Sequence, residues 1–156
     1  MTTRDLKAER KDLYAPTASA VSLVDVPPMH FLAIDGAGDP NTTPAYAAAV
    51  EALFSVAYAV KFLARKGDPP LDYKVLPLEG LWWLPGNAPY TLDRKDQLRW
   101  TMLIRQPDEV EAALVEAARE QVARKKALPA LPALRLERLH EGPSAQILHR
   151  GPFDDE

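Results

Sequence analysis

Cysteine is absent from this 156-residue chain. That absence removes disulfides, thiolate nucleophiles and zinc–sulfur sites. Histidine is scarce: His30, His140 and His149 stand too far apart for the spacing that puts two imidazoles on one helical face, so no metal is expected. No serine or cysteine nucleophile motif, P-loop or dinucleotide fingerprint occurs. Gly36-Ala37-Gly38 lacks both the third glycine and a nearby lysine, which leaves a phosphate cradle without its parts, and no cofactor is expected. Neither charge dominates, with 19 Lys+Arg against 22 Asp+Glu and a net charge of −3. That balance excludes a broad basic footprint for nucleic acid or an anionic membrane. The first residues, MTTRDLKAERKDLY, contain no apolar stretch of the kind a secretory signal needs. A cytoplasmic protein is the expectation.

What is present is ordinary for a globular domain: 47% hydrophobic and 26% charged residues. The length suits one domain able to bury a core without staples. Proline is plentiful, with 15 residues spread as punctuation. Residues 1–20 read as an extended arm wrapping the domain. Val21–Val26 and His30–Ile34 read as strands separated by Pro27-Pro28. Asp35–Asn41 reads as a turn. Thr43-Pro44 has the form of an N-cap followed by proline at the first helical position, and it predicts a long helix over Ala45–Ala64. That helix is apolar enough to suggest a membrane span. Glu51, Lys61 and the many alanines favour a packed core helix, and no membrane partner is expected. Asp72–Trp83 reads as a strand holding Pro77 at an edge or bulge. Leu98–Arg105 reads as its antiparallel return across a wide loop. A second helix is predicted from Pro107, with Asp108 and Glu109 in its first turn, to Arg124-Lys125-Lys126. Leu134–His140 and Ala145–His149 read as two further strands.

A shift of 115 positions aligns Pro28 with Pro143, Leu32 with Ile147, Gly36 with Gly151 and Asp39 with Asp154. Each copy reads as a hairpin, a glycine turn and an acidic loop. The chain then divides into the arm, a first repeat at 21–105, a connecting helix and linker at 106–133, and the start of a second repeat at 134–156. The second copy ends at Asp154-Asp155-Glu156 before any helix, so it reads as incomplete. A second copy of the chain, in a swapped homodimer, is one way to complete it; a shortened form of a longer protein is the other.

The aromatic residues raise two readings. Tyr46, Phe54, Tyr58, Trp82, Trp83, Trp100 and Met102 either pack in the core or line a flat apolar slot that stacks a planar ligand. Trp82 and Trp83 are adjacent on one strand and so point to opposite faces. Glu79, Leu81 and Trp83 share a face. Glu79 is either a surface glutamate at an edge or a carboxylate among apolar neighbours. In the second case its pKa rises and it serves as general base or acid. Arg105 and His149 are further polar groups available to a site.

Five stretches carry a resemblance: Lys11–Tyr14, Phe31–Asn41 (FLAIDGAGDPN), Asp72–Trp83 (DYKVLPLEGLWW), Trp100–Pro107 (WTMLIRQP) and His149–Glu156 (HRGPFDDE). In these the chain resembles the GyrI-like small-molecule-binding domain family, within it the branch of stand-alone cyclopropanoid hydrolases. The resemblance implies an α+β fold: a pseudo-twofold duplication of a helix packed on an antiparallel sheet, with the second repeat incomplete here. It implies an aromatic-lined cleft for planar, hydrophobic or polycyclic molecules, and hydrolytic opening of cyclopropane-bearing DNA-alkylating compounds. It also leaves a non-catalytic drug-binding module or a gyrase-interacting protein as alternatives. The family's acidic pocket residue comes from a late His-Glu-Ile-Tyr type strand, with no counterpart up to Glu156. Repeat symmetry transfers its role to Glu79.

Overall fold

The structure, a computed structural model, describes residues 1–152. The aligned Asp154 and the acidic end Asp154-Asp155-Glu156 lie outside the described residues. Ser22–Val26 forms β1 and Met29–Ala37 forms β2. Pro27-Pro28 between them offers no amide donors, and the ladder breaks there. The expected hairpin is not formed. β1 pairs antiparallel with β6 (Gly142–Gln146), and β2 pairs antiparallel with β5 (Arg135–Leu139). Ser22 faces Gln146 and Met29 faces Leu139, so one register runs through both ladders. Two long bent strands lie side by side and break together, at Pro27-Pro28 in one and His140-Glu141 in the other.

The recurrence is real but its spacing is 113 residues, from Ser22 to Arg135, Met29 to Gly142 and Gly38 to Gly151. Gly38 and Gly151 both adopt positive φ, 110° and 109°, a backbone that only glycine takes without strain. The shift of 115 slips this by two residues because it matches side chains rather than the turn. β6 covers Gly142–Gln146 rather than Ala145–His149, because its partner β1 begins at Ser22.

β2 also pairs with β4 (Arg99–Gln106), and β4 with β3 (Leu78–Trp83). The result is a four-stranded antiparallel sheet in the order β3-β4-β2-β5, beside the two-stranded β1-β6. The expected strand from Asp72 shortens to Leu78, directly after Pro77, which has no donor for a ladder. Tyr73 instead bridges Arg4.

The arm is not extended. It forms two single-turn helices, α1 (Leu6–Glu9) and α2 (Lys11–Tyr14). The Asp5 side chain caps α1 by accepting from the Ala8 amide, and Leu6 is buried with Ala64, Tyr73 and Leu76. α3 spans Pro44–Arg65; the Thr43 side chain accepts from the Ala45 amide and Pro44 opens the first turn. By length and composition α3 could cross a membrane. Its stripe of Ala49, Leu53, Val56, Ala57 and Val60 is instead buried against Leu32, Ile34, Trp100, Met102 and Ile104 of the sheet. α4 (Ala112–Lys125) lies alongside through Val115, Ala118 and Val122. It begins five residues after Pro107. The Pro107 carbonyl is taken by the Val110 amide in a turn, and Val110 is fully buried. The chain is thus pinned in the core before the helix can start. The fold is α+β, with the two long helices α3 and α4 on one face of the four-stranded antiparallel sheet and the short α2 against the other.

Candidate functional site

Strand periodicity sorts the β3 side chains. Leu78, Gly80 and Trp82 sit opposite Ile104, Met102 and Trp100, on the α3 side. Glu79, Leu81 and Trp83 sit opposite Leu103, Thr101 and Arg99, on the side away from α3 and α4. That second side carries its own apolar cluster, Met29, Phe31, Ala33 and Leu103, with Leu13, Val26 and Leu139 packed against it.

A cavity of about 120 Å³ opens there, where the two sheets diverge at the ladder break. β2 supplies Met29 and Phe31, β1 supplies Val26, β6 supplies Gln146, and the turn before β6 supplies Glu141. α2 closes one wall with Leu13 and Tyr14, and Glu79 stands in the chamber. The Gln146 amide donates to the Asp12 carbonyl at 2.7 Å, tying α2 to β6. Arg105 is buried on the same side of the sheet, across from Phe31. Its Nη1 donates to the Tyr14 hydroxyl at 3.3 Å.

Glu79 is the unusual group. Its Oε2 is buried and accepts no hydrogen bond. Burial among apolar side chains, reinforced by the charge of Glu141 and opposed by Arg105, pushes its pKa up to about 7. A carboxyl held at that value is divided between base and acid near neutrality, which suits proton transfer to and from water. Among the described residues, no three acidic or histidine side chains gather closely enough to hold a metal ion.

The aromatic residues do not form a single slot with Glu79. Trp100 is 1% exposed and Met102 is buried beside it, both under α3. The Trp100 ring occupies the space over Gly36, where an added Cβ would lie 2.0 Å from Cη2. Tyr46 packs edge-on against Trp100, with centroids 5.6 Å apart, and 6.0 Å from half-buried Trp82. Phe54 is half-buried against the same core. Tyr58 is exposed on the outer side of α3, 6.5 Å from Phe62. The sheet thus separates these six from Glu79. Of the seven candidates, Trp83, 43% exposed, shares the face on which Glu79 stands, with Leu81 between them. The reason is register: Trp100 faces Trp82 across the ladder, so the two share the helix side. The sequence reading did not single out Tyr14, Phe31 or Glu141. Tyr14 ends the Lys11–Tyr14 stretch that carries the resemblance; nothing local marks Glu141. His149 lies away from the cavity, its Nε2 2.9 Å from the Pro152 carbonyl.

The fold and the chamber define an α+β domain with a buried carboxylate at the junction of two antiparallel sheets. No protein-family model and no curated protein matches the chain. Solved structures do. An uncharacterised conserved protein from Listeria innocua is 39% identical with a TM-score of 0.85, over 97% of this chain and 74% of that one. A structure named as a hydrolase from Listeria innocua is 38% identical with a TM-score of 0.81, over 97% and 76%. A hydrolase encoded by lin2189 from Listeria innocua is 38% identical with a TM-score of 0.85, over 99% and 75%. The chain belongs to the family of these Listeria proteins, and it spans about three quarters of the length of each.

Proposed function

We propose that the chain is a hydrolase of planar, neutral electrophiles, with Glu79 as the base that activates water. One observation carries the reading: a half-buried carboxyl with one oxygen lacking a hydrogen-bond donor, on a residue that lines a chamber large enough for water and whose pKa lies near 7. The naming of two similar structures as hydrolases supports it. The GyrI-like resemblance supplies the bond to be broken, that of a strained cyclopropane; a ring conjugated to a dienone carbonyl is the simplest activated form, because the carbonyl can take the electron pair. Glu79 takes a proton from water as its oxygen attacks a ring methylene. The strained carbon–carbon bond breaks, and its electron pair moves to the carbonyl oxygen, which becomes a phenolate and then a phenol. The ring's strain makes it electrophile enough, so positioning and proton removal suffice. The flat body of a larger substrate lies along Leu81 and Trp83, which stand at strand spacing beyond Glu79.

A spirocyclopropyl cyclohexadienone tests this. With the protein, its dienone absorbance is expected to fall while a hydroxyethyl phenol accumulates, and Glu79→Gln is expected to slow the reaction at least about a hundredfold. Turnover equal to the buffer rate, or an unaffected Glu79→Gln variant, would contradict the reading.

Exposed Trp83 beside Leu81 favours a second reading, a drug-binding module that sequesters planar molecules without turnover. Ethidium would then quench tryptophan fluorescence in the wild type but not in Trp83→Leu. A flat titration removes it.

A further inference from the structure

Two groups of the chamber have no role in that account, Tyr14 and the buried Arg105 behind it. We infer that Tyr14 is the proton donor of this site and that Arg105 is its positioning residue; this rests on the hydrolase reading above. Arg105 rises from β4 on the cavity side because its cross-strand partner is Phe31, a cavity wall. Its guanidinium lies 5.8 Å from the Tyr14 ring centroid, and Nη1 donates to the phenol oxygen at 3.3 Å. A guanidinium has donors only and stays charged. The Tyr14 oxygen is therefore the acceptor of that bond, and its own hydrogen is left to another partner. Among the described residues none accepts it, and Tyr14 lines the same chamber as Glu79, whose buried Oε2 has no hydrogen-bond partner. One chamber thus holds a base on β3 and a hydroxyl donor on α2, with a fixed cation behind the donor.

The arrangement defines the substrate more narrowly than an apolar chamber does. The electrophile carries a carbonyl oxygen on the Tyr14 side and the attacked carbon on the Glu79 side. As water adds, Glu79 gains a proton and the carbonyl oxygen gains the electron pair of the broken bond. Tyr14 gives its proton to that oxygen and becomes a phenolate beside Arg105. The proton on Glu79 then returns to Tyr14 through water, so the net change is addition of one water. Burial holds the Tyr14 hydroxyl above its ordinary range and keeps it protonated at neutral pH, while Arg105 acts in the opposite direction and favours the transient anion.

Substitutions at two positions test this with the whole chain. Tyr14→Phe keeps the ring and removes only the hydroxyl, so its thermal midpoint is expected to stay within a few degrees of wild type. Its kcat on the spirocyclopropyl cyclohexadienone is expected to fall about a hundredfold, with KM little changed. Arg105→Gln is expected to show a similar loss, and Arg105→Lys to recover part of it. Wild-type turnover with an inactive Glu79→Gln and a fully active Tyr14→Phe overturns the inference and leaves the hydrolase reading standing. A second measurement does not depend on turnover. para-Nitrophenolate, a stand-in for the oxyanion, is expected to bind the wild type with a shifted absorbance maximum and to bind Tyr14→Phe at least about tenfold more weakly. Equal binding by the two proteins overturns the inference even if the dienone is not a substrate.

Discussion

The four-stranded and two-stranded sheets are built from the same pair of bent strands, yet only one is covered on its outer face. On the β2–β5 arm, Leu32 and Leu136 lie under helices and their neighbours, and Leu32 is fully buried. At the 113-residue spacing their counterparts on the β1–β6 arm are Ala145 and Leu23, which face each other across the ladder. Both are exposed, Leu23 to 86%. The inner faces of both arms converge on the chamber. Apolar alternation makes a strand, but a second layer makes a core; two strands alone hold little apolar surface from water. The site sits where the covered half meets the bare half. Its β3 and β4 residues rest on a rigid layer, while Val26 and Gln146 rest on the thin one.

Substitutions can break or sharpen this contrast. The largest effect is expected at the covered sheet. Gly36→Val places branched carbon inside the Trp100 ring and is expected to prevent recovery of folded protein, measured by yield and circular dichroism. Trp100→Ala is expected to cost about 3–5 kcal/mol in denaturant unfolding.

Next comes the group between the halves. The Glu79 pKa is raised on folding from an ordinary 4.5 to about 7. The folded state therefore holds this proton more tightly than the unfolded chain. Stability contributed by that proton is present below about pH 4.5 and is lost as pH rises through 7. Glu79→Gln removes the penalty, so it is expected to stabilise the protein at pH 8 by roughly 2–3 kcal/mol and to change little at pH 4. Equal melting shifts at both pH values would show that burial does not raise the Glu79 pKa as described.

Amide exchange compares the sheets directly. The amides of β2 and β4 are expected to exchange at least about a hundredfold more slowly than those of β1 and β6. The smallest effect is at the bare face. Leu23→Ala is expected to change stability by no more than about 0.5 kcal/mol; a loss like that of Trp100→Ala would mean the face is covered after all.

How much could be read beforehand follows from the range of each cause. α3 was legible because its cap, Thr43-Pro44, and its apolar stripe are local. So was the shared face of Glu79, Leu81 and Trp83, since strand period alone decides it. The side taken by Trp100 was not, because it depends on which β4 residue meets Trp82. Pro107 misled for a tertiary reason: burial of Val110 outweighed a sound helix-start signal. The pairing of β1 with β6 joins residues more than a hundred positions apart, and adjacency in sequence pointed to a β1–β2 hairpin instead. The proposed base, donor and cation, Glu79, Tyr14 and Arg105, each lie in a stretch that carries the resemblance, but on three separate elements, and no local pattern shows that they meet.

The central claim is that Glu79 is a base poised near neutrality inside the chamber. Carbon-13 NMR of glutamate side-chain carboxyls, titrated from pH 3 to 9, tests it without any substrate. The account predicts one carboxyl resonance with a midpoint near 7, absent from the Glu79→Gln spectrum. A full set of glutamates titrating between about 3.5 and 5, as ordinary exposed carboxyls do, would contradict it.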